Sequence, residues 1–173
     1  MRLIESKTLT GTQAAIEFAS IPSTFTDLVA LMSLRTDQAG AESNLTVQFN
    51  SSTSGFTQRY LAGGGGAGVF NGSASTGELT VAVVGNGATA NTFSNSQFYI
   101  PNYAGSTNKS YSLDGVAENN NSTAWQLIQA GLWSNTAAIT NLKFLTVAGS
   151  FVAGSTISLY GILKGSDGIV TTS

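Results

Sequence analysis

Asn44-Leu45-Thr46-Val47-Gln48-Phe49-Asn50 is the stretch on which the architecture turns. Apolar residues at 45, 47 and 49 alternate with polar ones at 44, 46, 48 and 50. Successive side chains leave a β-strand on opposite faces, so a period of two marks a strand with one dry and one wet face. Leu79, Val81 and Val83 repeat the pattern against Thr80 and Ala82, and Ile157, Leu159 and Gly161 repeat it against Ser158 and Tyr160. About ten such runs follow from strand and turn signals. They fall near 3–9, 13–19, 27–36, 44–50, 57–62, 78–84, 95–101, 109–117, 124–133, 138–147 and 156–164, with one of the shorter ones irregular. Clusters such as Ser51-Ser52-Thr53-Ser54-Gly55, Gly63 to Gly66, Gly85-Asn86-Gly87 and Asn119-Asn120-Asn121 separate them and carry turn chemistry. Short strands at such spacing predict an all-β fold, an antiparallel β-sandwich of jelly-roll-like type.

Two runs break clean alternation. In 124–133 the apolar set moves from Trp125 and Leu127 to Ile128, Ala130 and Leu132, and in 138–147 from Leu142 and Phe144 to Leu145 and Val147. A β-bulge in each run, or burial of both strand faces, accounts for the shift. The best helix candidate, 121–129, is short and continues into Gly131 and Trp133, which suit a strand better.

The chain has 173 residues, which fits one domain over 1–164 with a loose C-terminal tail over 165–173. A domain of this size hides roughly 70% of its unfolded surface and needs no staple. With no Cys, no disulfide or thiolate metal site forms. Only 9% of residues are charged, 7 basic against 9 acidic, and no basic stripe exists to displace counterions from phosphates, so no nucleic-acid partner is expected. No membrane partner is expected either, because no stretch approaches the ~20 apolar residues of a membrane span. The start, Met1 to Gln13, lacks the apolar run of a signal peptide, and synthesis in a cytoplasm is the expectation.

The chain also lacks His, which removes the commonest general base and metal ligand and every Ser-His-Asp or Cys-His arrangement. Two carboxylates across a cleft would suffice for glycoside hydrolysis, and Asp114 with Glu118 is the nearest pair beyond the first 42 residues. The same pair with Asn119, Asn120 and Asn121 offers oxygens for a calcium ion, without the spacing of an EF-hand loop. Solvated loop carboxylates are the expectation for both. The run Ala62 to Gly68 resembles a phosphate cradle in composition, yet no Lys-Ser/Thr and no helix follow it. Trp125 and Trp133 lie eight residues apart and share a face in a regular strand. Core packing is the commoner use of such rings, and stacking on a sugar is the functional alternative. Phe98, Tyr99 and Tyr103 are expected in the core and at strand ends. The triplets at Asn44, Asn71, Asn108 and Asn121 match a glycosylation pattern by composition alone. These searches predict a protein that is not an enzyme and carries no cofactor or metal. The candidate residues for the alternative, contact to a glycan or partner, are Trp125, Trp133, Asn119, Asn120 and Asn121.

Longer stretches carry a family likeness: Leu9 to Ser20, then Ile21-Pro22-Ser23-Thr24-Phe25-Thr26-Asp27-Leu28 and Arg35-Thr36-Asp37. Phe98-Tyr99-Ile100-Pro101-Asn102-Tyr103, Ser106-Thr107-Asn108-Lys109, Ala130-Gly131-Leu132-Trp133, Ala138-Ile139-Thr140 and Ser158-Leu159-Tyr160-Gly161-Ile162 continue it. Across about residues 9–163 the chain resembles small β-sandwich virion proteins of tailed bacteriophages, many from aquatic hosts. The resemblance implies many copies on a virion assembled in the host cytoplasm, contacts to the major capsid protein or other virion proteins, and a homo-oligomer with a trimer favoured. It carries over no catalytic residue. Strand pattern begins at once and no heptads appear, which favours a capsid decoration or cement subunit over a fibre or receptor-binding module recognising host glycans.

Overall fold

The computed structural model describes residues 1–64, 69–74, 78–118 and 124–163; the loop asparagines 119–121, part of the glycine run and the tail 165–173 lie outside them. The strands are β1 (Arg2–Thr8), β2 (Ala15–Phe18), β3 (Phe25–Leu34), β4 (Glu42–Phe49), β5 (Phe56–Gly64) and β6 (Val69–Ala74). They continue as β7 (Glu78–Val84), β8 (Ser94–Ile100), β9 (Lys109–Ala117), β10 (Trp125–Trp133), β11 (Leu142–Thr146) and β12 (Thr156–Leu163). The described residues hold no helix; of the helix candidate 121–129, residues 125–129 form the start of β10 and 121–123 lie outside the described residues.

One sheet has eight strands in the order β1-β12-β3-β8-β9-β10-β5-β6, the other four in the order β2-β11-β4-β7. Every ladder pair is antiparallel. Setting aside the hairpins β5–β6 and β9–β10 leaves β1-β12-β3-β8 facing β2-β11-β4-β7, which is the strand order of a jelly roll. The two hairpins extend the free edge of β8, so one sheet becomes twice as wide as its cover.

The alternation read from the sequence is the alternation of burial. In β4 the side chains of Leu45, Val47 and Phe49 are buried, and β9 alternates buried and exposed over its whole length. Phe49 gathers rings from four strands or strand ends of the large sheet: Phe56 at 5.5 Å, Phe98 at 6.2 Å, Tyr111 at 5.7 Å and Trp133 at 5.5 Å between centroids. Three of these contacts are edge-on, the geometry that ring quadrupoles prefer. Gly131 sits opposite Tyr111 on β9, and a Cβ there would enter the Tyr111 ring. The missing side chain at 131 is what lets that ring lie flat on β10.

Polar ties hold the loops. The buried Arg35 guanidinium donates to the carbonyls of Thr89 (2.8 Å), Thr92 (2.9 Å) and Ala88 (3.2 Å) and so fastens the connection between β7 and β8. The Lys109 ammonium is likewise buried and donates to the carbonyls of Gly105 (2.7 Å), Thr107 and Thr136. The Tyr103 hydroxyl donates to the carbonyl of Pro22. Each buried charge thereby meets several oxygens, the condition for tolerating it away from water.

The bulge expectation is corrected. The register of β10 runs without a shift along both neighbours, and so does that of β11. Shifts occur instead at Leu3/Glu5, Ser43/Leu45 and Ile162/Leu163. The run expected at 138–147 is a strand only from Leu142, because Asn50 takes up the segment before it. Asn50 has φ 52°, and its side chain donates to the carbonyl of Ala138 while accepting from the backbone N–H of Thr140 and Asn141. β6 is a strand that the sequence reading placed in a loop, since glycine-rich composition hid it.

Phe49→Ala is expected to lower the unfolding free energy by about 3–5 kcal/mol, read by urea denaturation, because the cavity opens between both sheets. Burial pushes the Tyr111 hydroxyl up to about 12 from 10.0. The unfolded chain releases this proton near pH 10, so it binds fewer protons than the native state between the two values. Stability therefore falls as pH rises from about 10 to 12, by an amount on the order of 3 kcal/mol in full for this group. Tyr111→Phe should remove that part of the loss in urea melts at pH 8 and pH 11. At neutral pH it should cost little, because the buried hydroxyl has no hydrogen-bond partner among the described residues.

Candidate functional site

The outward side of the large sheet is the feature with functional content. The ladder register places its side chains in rows across the strands. One row runs Leu61, Ile128, Asp114, Gln97 and Leu31 over β5, β10, β9, β8 and β3. The next runs Arg59, Ala130, Ser112 and Tyr99. Small side chains at 130 and 112 leave a trough between the taller rows, a groove of about 460 Å³ that also reaches Leu113 and Gln129. A neighbouring depression continues it over Leu31, Asn95 and Val116.

This face carries large exposed apolar side chains among polar ones such as Asn95, Gln97, Ser112 and Asp114. Among the described residues, Leu3, Leu31, Leu61, Val116 and Ile128 are five of the eight exposed large apolar side chains, and all five point outward from the large sheet. Ile128 is 53% exposed and Leu61 49%. The apolar shift in 124–133 is thereby explained. β10 is regular, its inner set of Leu127, Gln129 and Trp133 is buried, and its outer set of Ile128, Ala130 and Leu132 faces away from the core.

Polar groups frame the groove. Tyr99 donates its hydroxyl to Asp27 at 2.9 Å, and Asp27 also accepts the backbone N–H of Asn102 at 2.9 Å. Burial raises the Tyr99 hydroxyl above its ordinary value, and the Asp27 carboxylate it bonds pushes the same way. Asp114 makes no hydrogen bond or ion pair among the described residues, and Arg59 donates only to the neighbouring carbonyl of Gln58 at 2.9 Å.

The residues singled out in the sequence separate. Trp133 is 2% exposed, stacks on Phe56 at 6.1 Å and meets Phe49 edge-on, so no ring face is left for a sugar or a partner. That contact expectation is corrected: Trp133 is a core residue because odd positions of β10 face inward. Trp125 shares that face but lies half-buried at the sheet's end, beside a depression lined by Gly63, Gly64, Val116 and Glu118. Burial pushes the adjacent Glu42 carboxyl up, opposed by the Trp125 indole. Asn119, Asn120 and Asn121, also expected as contacts, lie outside the described residues.

Asp114 sits in the middle of β9 and Glu118 just past its end. Four residues along a strand separate them by roughly 13 Å. That is too far to share a cation or to flank one glycosidic bond. Among the described residues no group of three or more acidic side chains could hold a metal ion. Phe98 and Tyr103 are buried as expected, whereas Tyr99 belongs to the outer face. No protein-family model and no curated protein matches the chain.

Replacing a half-exposed side chain outside the core should leave stability nearly unchanged. Ile128→Ser is expected to shift the unfolding free energy by no more than about 0.5 kcal/mol in urea. It should also reduce binding of a hydrophobic dye to the native protein.

Proposed function

We propose that this chain is a structural protein of a tailed-phage virion, a capsid decoration or cement subunit that stabilises the head through protein–protein contacts with the major capsid protein. The observation that carries the reading is the apolar outer face of the large sheet. Contiguous exposed apolar surface rimmed by polar groups marks an interaction site. Aliphatic side chains on a flat face suit another protein surface better than a small ligand. The resemblance of residues 9–163 to small phage virion proteins supports the setting. The jelly-roll strand order is compatible with it, although that order also serves lectins and other unrelated functions.

Few charges fit the role. An interface made of Leu, Ile, Val, Ser and Thr depends little on ionic strength, which suits a particle that meets varied media. Buried Arg35 and Lys109, held by carbonyls, tie the loops without a metal or a disulfide.

Particles stripped of this protein are expected to burst at lower temperature than intact particles in a thermal release assay, and adding the purified chain back should restore them. Unchanged heads after stripping, or antibody label confined to the tail tip, would overturn the proposal.

A further inference from the structure

We infer that the outer face of the large sheet pairs with the same face of a second copy of this chain, through a two-fold axis that crosses β10 between Ile128 and Ala130. The inference rests on the reading of this face as a protein-contact surface and gives the face to a second copy, leaving contact with the capsid to the rest of the subunit.

Charge placement carries it. On the outward side of β3, β8, β9, β10 and β5 the charged groups are Arg59, Asp27 and Asp114. Asp27 is already occupied by Tyr99 and Asn102. That leaves one cation and one unpartnered carboxylate. They stand on either side of β10: Arg59 pairs with Ala130 from β5, and Asp114 pairs with Ile128 from β9. Two strand spacings across and two residues along put them on the order of 12 Å apart, too far to meet within one chain. A two-fold axis lying in the interface plane and bisecting that separation sets Arg59 of each copy over Asp114 of the other. The same operation brings Ile128 of one copy against Leu61 of the other. A single cation, a single free anion and an apolar centre thus become two ion pairs around an apolar contact, the self-complementary pattern that an isologous interface requires.

Size agrees. Seven spacings of ~4.8 Å and strands of six to ten residues give a face on the order of 34 Å by 25 Å. That is close to the ~800 Å² per partner of a stable interface. The contact is two-fold, so any threefold grouping of such subunits would use a different surface.

Charge reversal with rescue tests the pairing on the full chain. Sedimentation equilibrium of the wild-type protein should give twice the chain mass at micromolar concentration. Arg59→Asp and Asp114→Arg should each weaken the dimer at least tenfold by repulsion, with unchanged near-ultraviolet circular dichroism, since both side chains are exposed. The double exchange should restore the dimer to within a few fold of wild type. A wild-type chain that stays monomeric overturns the pairing, as does a dimer indifferent to both reversals or one not restored by the double exchange. A monomer that still binds and stabilises particles would overturn the pairing alone and leave the decoration role standing.

Discussion

The Phe49 ring is the contact on which the arrangement of the two sheets depends. It lies at the end of β4, on the small sheet, and touches rings carried by or beside β5, β8, β9 and β10 of the large one. A jelly roll needs only β8 of these. The other three belong to the hairpins that widen the sheet, so one buried side chain holds the added strands to the older frame. Phe98 passes the contact on to Phe144 on β11, and Phe144 to Phe18 on β2, which runs the aromatic chain along three of the four strands of the cover. Gly131 is part of the same device, because Tyr111 reaches Phe49 only by lying across a position without a side chain.

Widening one sheet has a consequence on its other side. Eight strands present an outer face that none of the described residues covers, and it exposes several large apolar side chains. Leu61, Ile128, Val116 and Leu31 stand among Ser, Asn and Gln, with few charges between them. Sheets exposing apolar side chains invite association, and the proposed role and the proposed pairing both treat that association as the purpose of the face. The groove follows from the same rows: it exists where Ala130 and Ser112 are too short to fill the space between Tyr99 and Ile128.

Much of this was legible beforehand, and the misses have physical causes. Strict alternation in 44–50 marked a strand because one face is dry and the other wet, and that strand and the run expected at 109–117 stand where expected. β6 escaped because Gly and Ser dominate its surroundings and leave no alternation to read. Trp125 and Trp133 were correctly placed on one face, yet a period of two cannot tell an inner face from an outer one. Register against β9 and β5 decides that, and it buries Trp133. The apolar shift in β10 was visible, but its meaning depends on what lies against the second face. Asp27, Arg35, Tyr103 and Lys109 prove to be structural ties, each fastening a loop by hydrogen bonds to backbone.

The sequence by itself determined the strands, the absence of His and Cys chemistry, and the half-buried character of each run, because these depend on side-chain type and a local period of two. Only the tertiary structure decided strand order, and with it which strands lie side by side. Arg59, Ile128, Asp114, Gln97 and Leu31 are scattered over the chain from 31 to 128 and become neighbours through antiparallel ladders. A surface assembled from single residues of five strands has no signature along the chain, since each contributes one side chain whose neighbours are set by pairing partners far away in sequence.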